Sequence, residues 1–378
     1  MSSSGRKFDD DSALSGSRTG RTRVRAHTSA IPLPRPAPSA FDLDTALASL
    51  RGRRRALILP HDNPDPDSIA AAEGLRVLLE HELGIASTLA LGGIVGRAEN
   101  RAMVDVLGIP LVPIERIDPA KFDLIALCDT QPGSGNNSLP ESMHADIVID
   151  HHPSHGPFPG TVWCDIRSSL GASSTISYGY LNQKRIPIDA RLATAFLYAL
   201  KSETRDLGRE ATQAERDAYI TLVAVADHAL LYQIVSPKVP REHFVALDRA
   251  IRSARMHGDL MAVNLGALDY PDLVAEIADL MLPFERARWV VCVGYHARVV
   301  YLSIRTEDED AHAGQLIRRV VGRDGAAGGH GRIAGGRLHA KVTTDRQLAP
   351  LYEQIVRNVC RELGAPEDRY TPLLPERK

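Results

Sequence analysis

The sequence predicts an α/β fold, with a mostly parallel, three-layer sheet domain followed by a smaller α/β domain. Apolar runs of strand length alternate with amphipathic segments of helical length through residues 46–232, which is the pattern of parallel strand–helix units. In addition, three of the apolar runs stop at acidic or histidine residues. These runs are 55–60, 122–128 and 147–149.

The elements of the first domain follow from apolar spacing and from turn residues. Apolar residues recur at helical spacing within 41–50. Pro64 and Pro66 stiffen the loop after the first strand, and Asp67 stands where a helix N-cap belongs. We expect helices at 41–50, 67–83, 98–107, 189–201 and 211–226, another starting near Ser173, and strands at 55–60, 86–91, 122–128, 147–149 and 161–165, in a Rossmann-like arrangement.

Changes in composition along the chain suggest the domain boundaries. Residues 1–45 are rich in Ser, Arg, Gly and Pro and lack an apolar period, which is typical of a disordered tail. The expected order is then a first domain at 46–232, a connector at 233–258, a second domain at 259–365 and a tail at 366–378. In the second domain we expect helices at 273–282, 316–321 and 348–363, strands at 289–295, 299–304 and 337–343, and a glycine-rich segment at 325–336.

Composition limits the class of protein. The net charge of −2 gives no global basic field for a long nucleic acid. No apolar run approaches the roughly 18–20 residues of a membrane span, and the charged N-terminus is unlike a signal peptide. The cysteines are widely spaced, which argues against a zinc ribbon or disulfide scaffold and favours a cytoplasmic location. They are Cys128, Cys164, Cys292 and Cys360.

Acidic and histidine residues gather where apolar segments end. Ligands of open α/β sheets bind at the carboxyl ends of strands, so we expect these side chains to converge. Histidine nitrogens and carboxylate oxygens without thiolates suit Mn²⁺, Fe²⁺, Co²⁺ or Mg²⁺, and Zn²⁺ remains compatible. The ligands outnumber the three or four that one cation needs, which favours two ions that hold a hydroxide between them and clamp a phosphoryl group. The candidate ligands are His61, Asp65, Asp67, Asp129, His151, His152, Glu203 and Asp206.

Three of these groups resemble the first three motifs of the DHH phosphoesterase superfamily. They are the segment from His61 to Ile69, Asp129, and the run Asp150-His151-His152. The second domain is similar to the superfamily's C-terminal substrate-binding domain, whose Gly-Gly-Gly-His signature appears here as Ala327-Gly328-Gly329-His330. The resemblance covers residues 46–365 and is greatest to enzymes that use Mn²⁺ to cleave short oligonucleotides, cyclic dinucleotides or 3′-phosphoadenosine 5′-phosphate.

The resemblance implies two divalent ions, with Mn²⁺ as the expected metal and Mg²⁺ or Co²⁺ as alternatives. His61 and Asp65 would hold one ion, and Asp67 and His151 the other. Asp129 would bridge both ions and take part in catalysis.

The resemblance also implies roles around the substrate. His152 would contact the scissile phosphate, and Asp150 would orient the histidines. Arginine side chains are natural partners of phosphate. The implied and candidate substrate-binding residues are Gly328, Gly329, His330, Arg332 and Arg305.

The fourth motif departs from the family pattern. Ser202-Glu203-Thr204 stands where the family has an aspartate between similar neighbours. Glu203 is longer by one methylene and could still bridge two ions, whereas Asp206 is the alternative ligand. Glu203 is favoured because the flanking Ser202 and Thr204 match the family pattern. If neither reached the metals, the second ion would bind weakly.

The leading hypothesis is a metal-dependent phosphoesterase that binds a short oligonucleotide or small nucleotide in the cleft between its domains. A near-neutral chain suits a short substrate better than long DNA. The alternatives are an inorganic pyrophosphatase or polyphosphatase, a nucleotide sensor with weak catalysis, for which Glu203 is the only support, and a metal-stabilised structural protein. Many relatives of this branch are dimers, so a homodimer is compatible with the resemblance, and no membrane partner is expected.

Overall fold

The computed structural model describes residues 41–140, 142–308 and 310–375. Most of the predicted N-terminal tail and the last three residues therefore lie outside the described residues. We call residues 41–235 the first lobe and residues 241–375 the second lobe, because each range is built around its own β-sheet.

The first lobe alternates strands and helices as the sequence predicts. Its helices are α1 Leu43–Ser49, α2 Pro66–Leu83, α3 Ala98–Leu107, α4 Ser173–Gln183, α5 Ala190–Glu203, α6 Gln213–Val225 and α7 His228–Val235. Its strands are β1 Arg55–Pro60, β2 Ala86–Leu91, β3 Leu111–Pro113, β4 Leu124–Cys128, β5 Ile147–Asp150 and β6 Trp163–Ile166.

The first sheet has six strands in the order β3-β2-β1-β4-β5-β6, and every pair is parallel. This is the strand order of the dinucleotide-binding Rossmann sheet, in which ligands bind where the order reverses. Here the reversal lies between β1 and β4, because β1 pairs with both β2 and β4. The predicted parallel α/β sheet is therefore confirmed, and its switch point lies at the two strands that precede His61 and Asp129.

The two faces of the first sheet are covered differently. Alternate residues of β1 point to opposite faces. Ala56 and Ile58 belong to the large core formed with the helices, whereas Leu57 and Leu59 belong to a smaller core. That smaller core is covered by side chains from connecting segments and 3₁₀ turns, such as Ile114. One outer layer is thus helical, and the other consists largely of loops.

The first lobe differs from the sequence-based expectation in several details, among them the unpredicted helix α7 and the start of α1 at Leu43, inside the range predicted as a disordered tail. The short edge strand β3 was not predicted, because it has three residues and ends at a proline. The N-cap of α2 is Asp65 rather than Asp67, and its side chain accepts a hydrogen bond from the Ser68 amide. Pro66 fits the first helical position because it lacks the amide hydrogen that would be unpaired there. Asp67 is therefore inside the first turn, with its carboxylate available for other partners.

The second lobe is also an α/β structure. Its helices are α8 Arg241–Ser253, α9 Leu273–Met281, α10 Ala313–Val321 and α11 Asp345–Leu363. Its strands are β7 Arg255–His257, β8 Leu260–Ala267, β9 Trp289–His296, β10 Val299–Thr306, β11 Gly325–His330, β12 Ile333–Leu338 and β13 Thr371–Pro372. They form a seven-stranded sheet in the order β11-β12-β10-β9-β8-β7-β13. Only β8 and β9 pair in parallel among these described strands.

The glycine-rich segment is an antiparallel hairpin of β11 and β12. Glycines are needed because α10 packs directly on this hairpin. A Cβ atom at Gly314 would lie 1.9 Å from the carbonyl oxygen of Gly329, and one at Gly336 would lie 2.9 Å from Val321. Ala327, which replaces the first glycine of the family signature, lies in β11 and its φ is not among the positive values, so the methyl group fits without backbone strain.

Among the described residues, no single helix has both the length and the apolar character of a membrane span. The bent pair α6 and α7 meets those criteria only when its two helices are taken together, and only by length and composition.

The close packing of α2 against α4 and α5 yields a stability prediction. A Cβ atom at Gly74 of α2 would lie 2.6 Å from the buried Phe196 ring, whereas one at Gly179 of α4 would meet no atom within 4 Å. We expect Gly74→Ala to lower the free energy of unfolding by about 1–3 kcal/mol through overpacking. Gly179→Ala should raise it by up to about 1 kcal/mol, because glycine is unfavourable within helices. Urea denaturation of both variants tests this, and equal effects would contradict it.

Candidate metal centre

The carboxyl ends of β1, β4 and β5 bring the predicted residues to one place. His61 follows β1, Asp129 follows β4, and the Asp150-His151-His152 run ends β5. Asp129 has a φ of 59°, in the left-handed region that aspartate tolerates better than most residues. This turn ends β4 abruptly and leaves Asp129 buried at the switch point, with 3% of its surface exposed.

Asp129 is the centre of the cluster. Its Oδ2 lies 3.6 Å from His61 Nε2, and its Oδ1 lies 3.6 Å from His151 Nε2. His61 Nε2 also lies 3.5 Å from Asp65 Oδ1. These separations are too long for hydrogen bonds. The donor atoms of His61, Asp65 and Asp129 lie within 4.8 Å of one another, as do those of Asp129, His151 and His152.

The two imidazoles are oriented by backbone carbonyl groups. His61 Nδ1 lies 3.0 Å from the carbonyl oxygen of Asp62, and His151 Nδ1 lies 3.2 Å from that of Leu170. Because a carbonyl only accepts, each Nδ1 is assigned the hydrogen, and each Nε2 faces Asp129. Metal-binding histidines commonly use one nitrogen in this way and the other for the ion.

Asp67 is held at the start of α4. Its two carboxylate oxygens accept hydrogen bonds from the amides of Ser173, at 2.7 Å, and Ser174, at 2.9 Å. The Ser173 hydroxyl donates to Asp129 Oδ1 at 2.8 Å and accepts from the His151 amide. The partial positive charge of a helix N-terminus stabilises a carboxylate placed there. The two serines were missed by sequence reasoning, although the predicted helix began at Ser173.

His152 is fixed by a buried hydrogen-bonded pair. Its Nδ1 lies 2.9 Å from Asp150 Oδ1, and Gln131 donates to Asp150 Oδ2 at 2.7 Å. Gln131 also accepts a hydrogen bond from the His155 amide at 2.9 Å and is 1% exposed. Because His152 Nδ1 already donates to Asp150, it is a poor metal ligand even though it lies near Asp129. Gln131 was missed because one amide side chain in a loop carries no recognisable signal.

The charges of the cluster shift one another's pKa values. Burial raises the pKa of Asp129 to about 7, and the carboxylates of Asp67 and Asp65 add to that effect. Burial opposes protonation of His61, but Asp65 and Asp129 outweigh it and raise the pKa of His61 to about 10. Without a cation, several buried carboxylates therefore compete for protons, which is the condition that a divalent ion relieves.

The two candidates for the fourth motif lie in different surroundings. Burial raises the pKa of Glu203 to about 8, and the charges of Asp65, Asp67 and Asp129 add to the effect, so Glu203 adjoins the cluster. Glu203 is the last residue of α5 and accepts a hydrogen bond from Arg209 at 3.3 Å. Asp206 is exposed and pairs with Lys201 and with the Tyr219 hydroxyl group.

The predicted substrate-binding residues of the second lobe lie in different surroundings. Arg305 is 3% exposed, and its donors bond to Asp279 Oδ1 at 2.6 Å and to the Ser303 hydroxyl at 2.7 Å. Its position is that of a structural ion pair within the sheet. Gly328 and Gly329 lie in β11, and Arg332 follows it. His330 ends β11, but its side chain lies outside what the structure describes.

A family match agrees with this geometry. Residues 55–200 match the DHH family, N-terminal domain. The matched segment contains β1 to β6 together with His61, Asp129 and the run that gives the family its name.

Two relatives match more residues than the family model does. An uncharacterized protein of Methanocaldococcus jannaschii is 31% identical over 319 residues, which are 82% of this chain and 65% of that protein. A "probable manganese-dependent inorganic pyrophosphatase" of Lactiplantibacillus plantarum is 27% identical over 176 residues, which are 46% of this chain and 56% of that protein. The chain thus spans less than two thirds of the length of either relative.

A solved structure has a similar fold. An exopolyphosphatase-related protein from Bacteroides fragilis superposes with a TM-score of 0.63 at 12% identity, covering 82% of this chain and 94% of that one. At this identity the likeness concerns the fold. It supports the arrangement of a parallel-sheet lobe followed by a second sheet lobe.

The residues of the segment that matches the DHH family fit the binding of divalent cations. Imidazole nitrogens and carboxylate oxygens converge without a thiolate, since the nearby Cys128 is buried in the core. Asp129 belongs to both groups of potential ligands.

Metal binding should depend on pH in a defined direction. At pH 7 the His61 imidazole of the ion-free protein carries a proton, because its pKa is raised to about 10. A metal ion must displace that proton, so the affinity for Mn²⁺ should rise as pH rises from about 6 to 8, by up to about tenfold per unit for each proton released. Titration calorimetry at pH 7 in buffers of different ionisation enthalpy measures the release, which should decrease in His61→Ala. An affinity independent of pH would contradict the expectation.

Proposed function

We propose that the protein is a metal-dependent phosphoesterase that hydrolyses short nucleotides at a two-metal centre. The observation that carries this proposal is the sharing of Asp129 by two groups of potential ligands at the switch point of a DHH sheet. Two-metal sites of this kind are suited to in-line displacement at phosphorus.

The ligands would divide between the two ions according to which side chains lie near one another. His61 and Asp65 would hold one ion together with Asp129, because the His61 Nε2 atom lies 3.5 and 3.6 Å from their carboxylate oxygens. His151 and Asp67 would hold the other, because the charge of Asp67 acts directly on His151.

Glu203 completes the centre in preference to Asp206. It adjoins the buried carboxylates, whereas Asp206 is exposed and already paired with Lys201. The ions would lower the pKa of a bound water and neutralise charge on the phosphate.

His152 is assigned to the substrate phosphate. Burial opposes its protonation, but the hydrogen bond to Asp150 and the charge of Asp129 raise its pKa to about 9. The imidazole is therefore protonated at neutral pH, donates to Asp150 through Nδ1, and presents Nε2 as the donor to a phosphate oxygen. Charge-assisted donors of this kind stabilise the charge that develops on phosphate during displacement.

Inorganic pyrophosphate is the second candidate substrate. The relative from Lactiplantibacillus plantarum whose name specifies a manganese-dependent inorganic pyrophosphatase favours it. The second lobe favours a nucleotide, since its hairpin and Arg332 would have little to bind in a substrate as small as pyrophosphate.

A hydrolysis screen tests the proposed function. We expect the protein with Mn²⁺ to hydrolyse at least one of a dinucleotide, cyclic di-AMP and 3′-phosphoadenosine 5′-phosphate, and Asp129→Ala to lose this activity because it removes the shared ligand. Release of phosphate from pyrophosphate alone would favour the second candidate. If the protein binds Mn²⁺ and nucleotide but turns over none of the four compounds, the enzyme proposal fails and a nucleotide sensor is favoured.

Gln131 should act on catalysis through Asp150 and His152. Gln131→Met keeps the approximate volume but removes the donor to Asp150, so His152 loses its fixed orientation. We expect kcat to fall about 10–100-fold, as with other residues that orient metal-site side chains, and KM to change little. Gln233→Met is the control, because the amide of exposed Gln233 only approaches the carbonyl of Ala229 in its own helix. A loss of kcat that merely parallels a loss of folded protein would contradict this role.

A further inference from the structure

The loop between β2 and α3 contacts both the segment that carries two candidate metal ligands and the second lobe. It consists of residues 92–97, and we call it the connecting loop. It begins at the carboxyl end of β2, which is the neighbour of β1 in the first sheet. Because β1 leads into His61 and Asp65, the connecting loop starts beside these two ligands.

Asn63 joins the connecting loop to the residues around His61 and Asp65. Its amide donates a hydrogen bond to the carbonyl oxygen of Gly92 at 2.9 Å, and its Oδ1 accepts one from the Ile94 amide at 3.1 Å. Asn63 has a φ of 55°, in the left-handed region that asparagine tolerates better than most residues. Since Asn63 lies two residues from each ligand, these two bonds fix the backbone between the ligands.

The contact leaves no free space between the two segments. A Cβ atom at Gly93 would lie 2.4 Å from Asn63 Oδ1, which is closer than real Cβ atoms approach a neighbour. Gly93 also has a φ of 71°, which glycine adopts without steric cost. The start of the connecting loop and the segment His61–Asp65 are therefore packed directly on each other, so a shift of one requires a shift of the other.

The other end of the connecting loop lies against the second lobe. A Cβ atom at Gly96 would lie 2.3 Å from Asp272 Oδ2, and the three atoms nearest to it all belong to the Asp272 carboxyl group. Arg97 Nη2 lies 2.7 Å from Asp279 Oδ2. Asp272 is the N-cap residue of α9, and Asp279 lies within that helix. The helix α9 therefore rests on the last two residues of the connecting loop.

The connecting loop is short enough to transmit a displacement from one end to the other. Ile94 bonds to Asn63, and Gly96 packs on the second lobe. Val95 alone separates them. The two lobes have separate apolar cores, and domains joined by small polar contacts are expected to move relative to each other. A movement of α9 would therefore reach the backbone beside the metal ligands through three consecutive residues.

We propose that the second lobe, by packing on Gly96 and Arg97, holds the connecting loop and thereby fixes the segment His61–Asp65 in an arrangement that binds a divalent cation. This inference rests on the proposed function, because it concerns an ion assigned there. It makes Asp272 of the second lobe a positioning residue for the metal. Because the coupling of two equilibria is reciprocal, a bound ion would also favour the docked arrangement of the lobes, in which a substrate can contact both.

Calorimetric titration of the ion-free full chain with Mn²⁺, without nucleotide, tests the coupling. Gly96→Ala adds one methyl group and no charge, and rotation of the Asp272 carboxylate cannot make room because its carboxyl carbon would lie only 2.5 Å away. We expect the affinity for Mn²⁺ to fall about fivefold or more, which is the lower end of typical couplings between sites. Gly179→Ala is the matched control, because a methyl group there meets no atom within 4 Å, and it should keep the wild-type affinity.

A double-variant cycle shows whether the effect passes through the second lobe. In Asp272→Ala the three atoms that the added methyl group would meet are absent, so Gly96→Ala should change the Mn²⁺ affinity less than about twofold in that background. An equal loss in both backgrounds would mean that the methyl group disturbs the connecting loop directly, and would overturn the inference.

Arg97→Gln tests the sign of the effect. Removal of a positive charge would by itself favour a nearby cation, whereas loss of the contact with Asp279 should weaken Mn²⁺ binding. We expect weaker binding. Arg319→Gln, which removes an exposed arginine paired with Glu362 of the second lobe, should leave the affinity unchanged. Wild-type affinity or tighter binding in Arg97→Gln contradicts the inference.

The outcomes separate the inference from the proposed function. Unchanged Mn²⁺ affinity in Gly96→Ala, together with hydrolysis of a nucleotide by the wild-type protein, would overturn the inference and leave the phosphoesterase intact. A fall in affinity that depends on Asp272, in a protein that hydrolyses none of the four screened compounds, would support the inference and overturn the enzyme proposal. A wild-type protein that binds no Mn²⁺ would overturn both.

Discussion

The burial of several carboxylates around Asp129 is the constraint on which the rest of the first lobe depends. Asp67 and Asp129 are each nearly inaccessible to solvent, and they lie near Asp65 and Glu203. Like charges at such separations repel strongly in a medium less polar than water. The fold compensates with the backbone amides at the start of α4, with the Ser173 hydroxyl group and with two imidazoles. These compensations do not remove the repulsion, which a bound divalent cation would relieve.

The order of the parallel strands follows from the same requirement. His61 and Asp129 can meet only if β1 and β4 are neighbours, and the DHH run can join them only if β5 is next to β4. The sequence predicted these strands because a run of three to five apolar residues ends at each of these polar positions. The sequence did not predict β3, because a strand of three residues is too short to show a pattern. It did not predict the hairpin of β11 and β12, because glycine lacks the side chains from which strand patterns are recognised.

The candidate metal ligands could be predicted from their residue types, whereas the residues that orient them through hydrogen bonds could not. Histidines and acids at strand ends are visible in a sequence because metal chemistry requires them. Gln131 and Ser173 act by hydrogen bonds to Asp150 and Asp129, which are 19 and 44 residues away along the chain, and no local pattern encodes such contacts. Arg305 shows the opposite difficulty. β10 is buried on both faces from Leu302 onward, so alternation could not reveal that this arginine lies inside the sheet.

The contacts between the lobes are of a different kind from those within them. Each lobe has its own apolar core, but Arg97 reaches Asp279 across the cleft, and Arg101 lies over the ring of Tyr270 at 5.3 Å. A partly exposed ion pair contributes only about 0–1 kcal/mol, so Arg97 can exchange its carboxylate partner for another anion at small cost. Asp279 would then keep Arg305 as its buried partner. The lobes therefore meet at an ion pair in which another anion can replace Asp279 as the partner of Arg97.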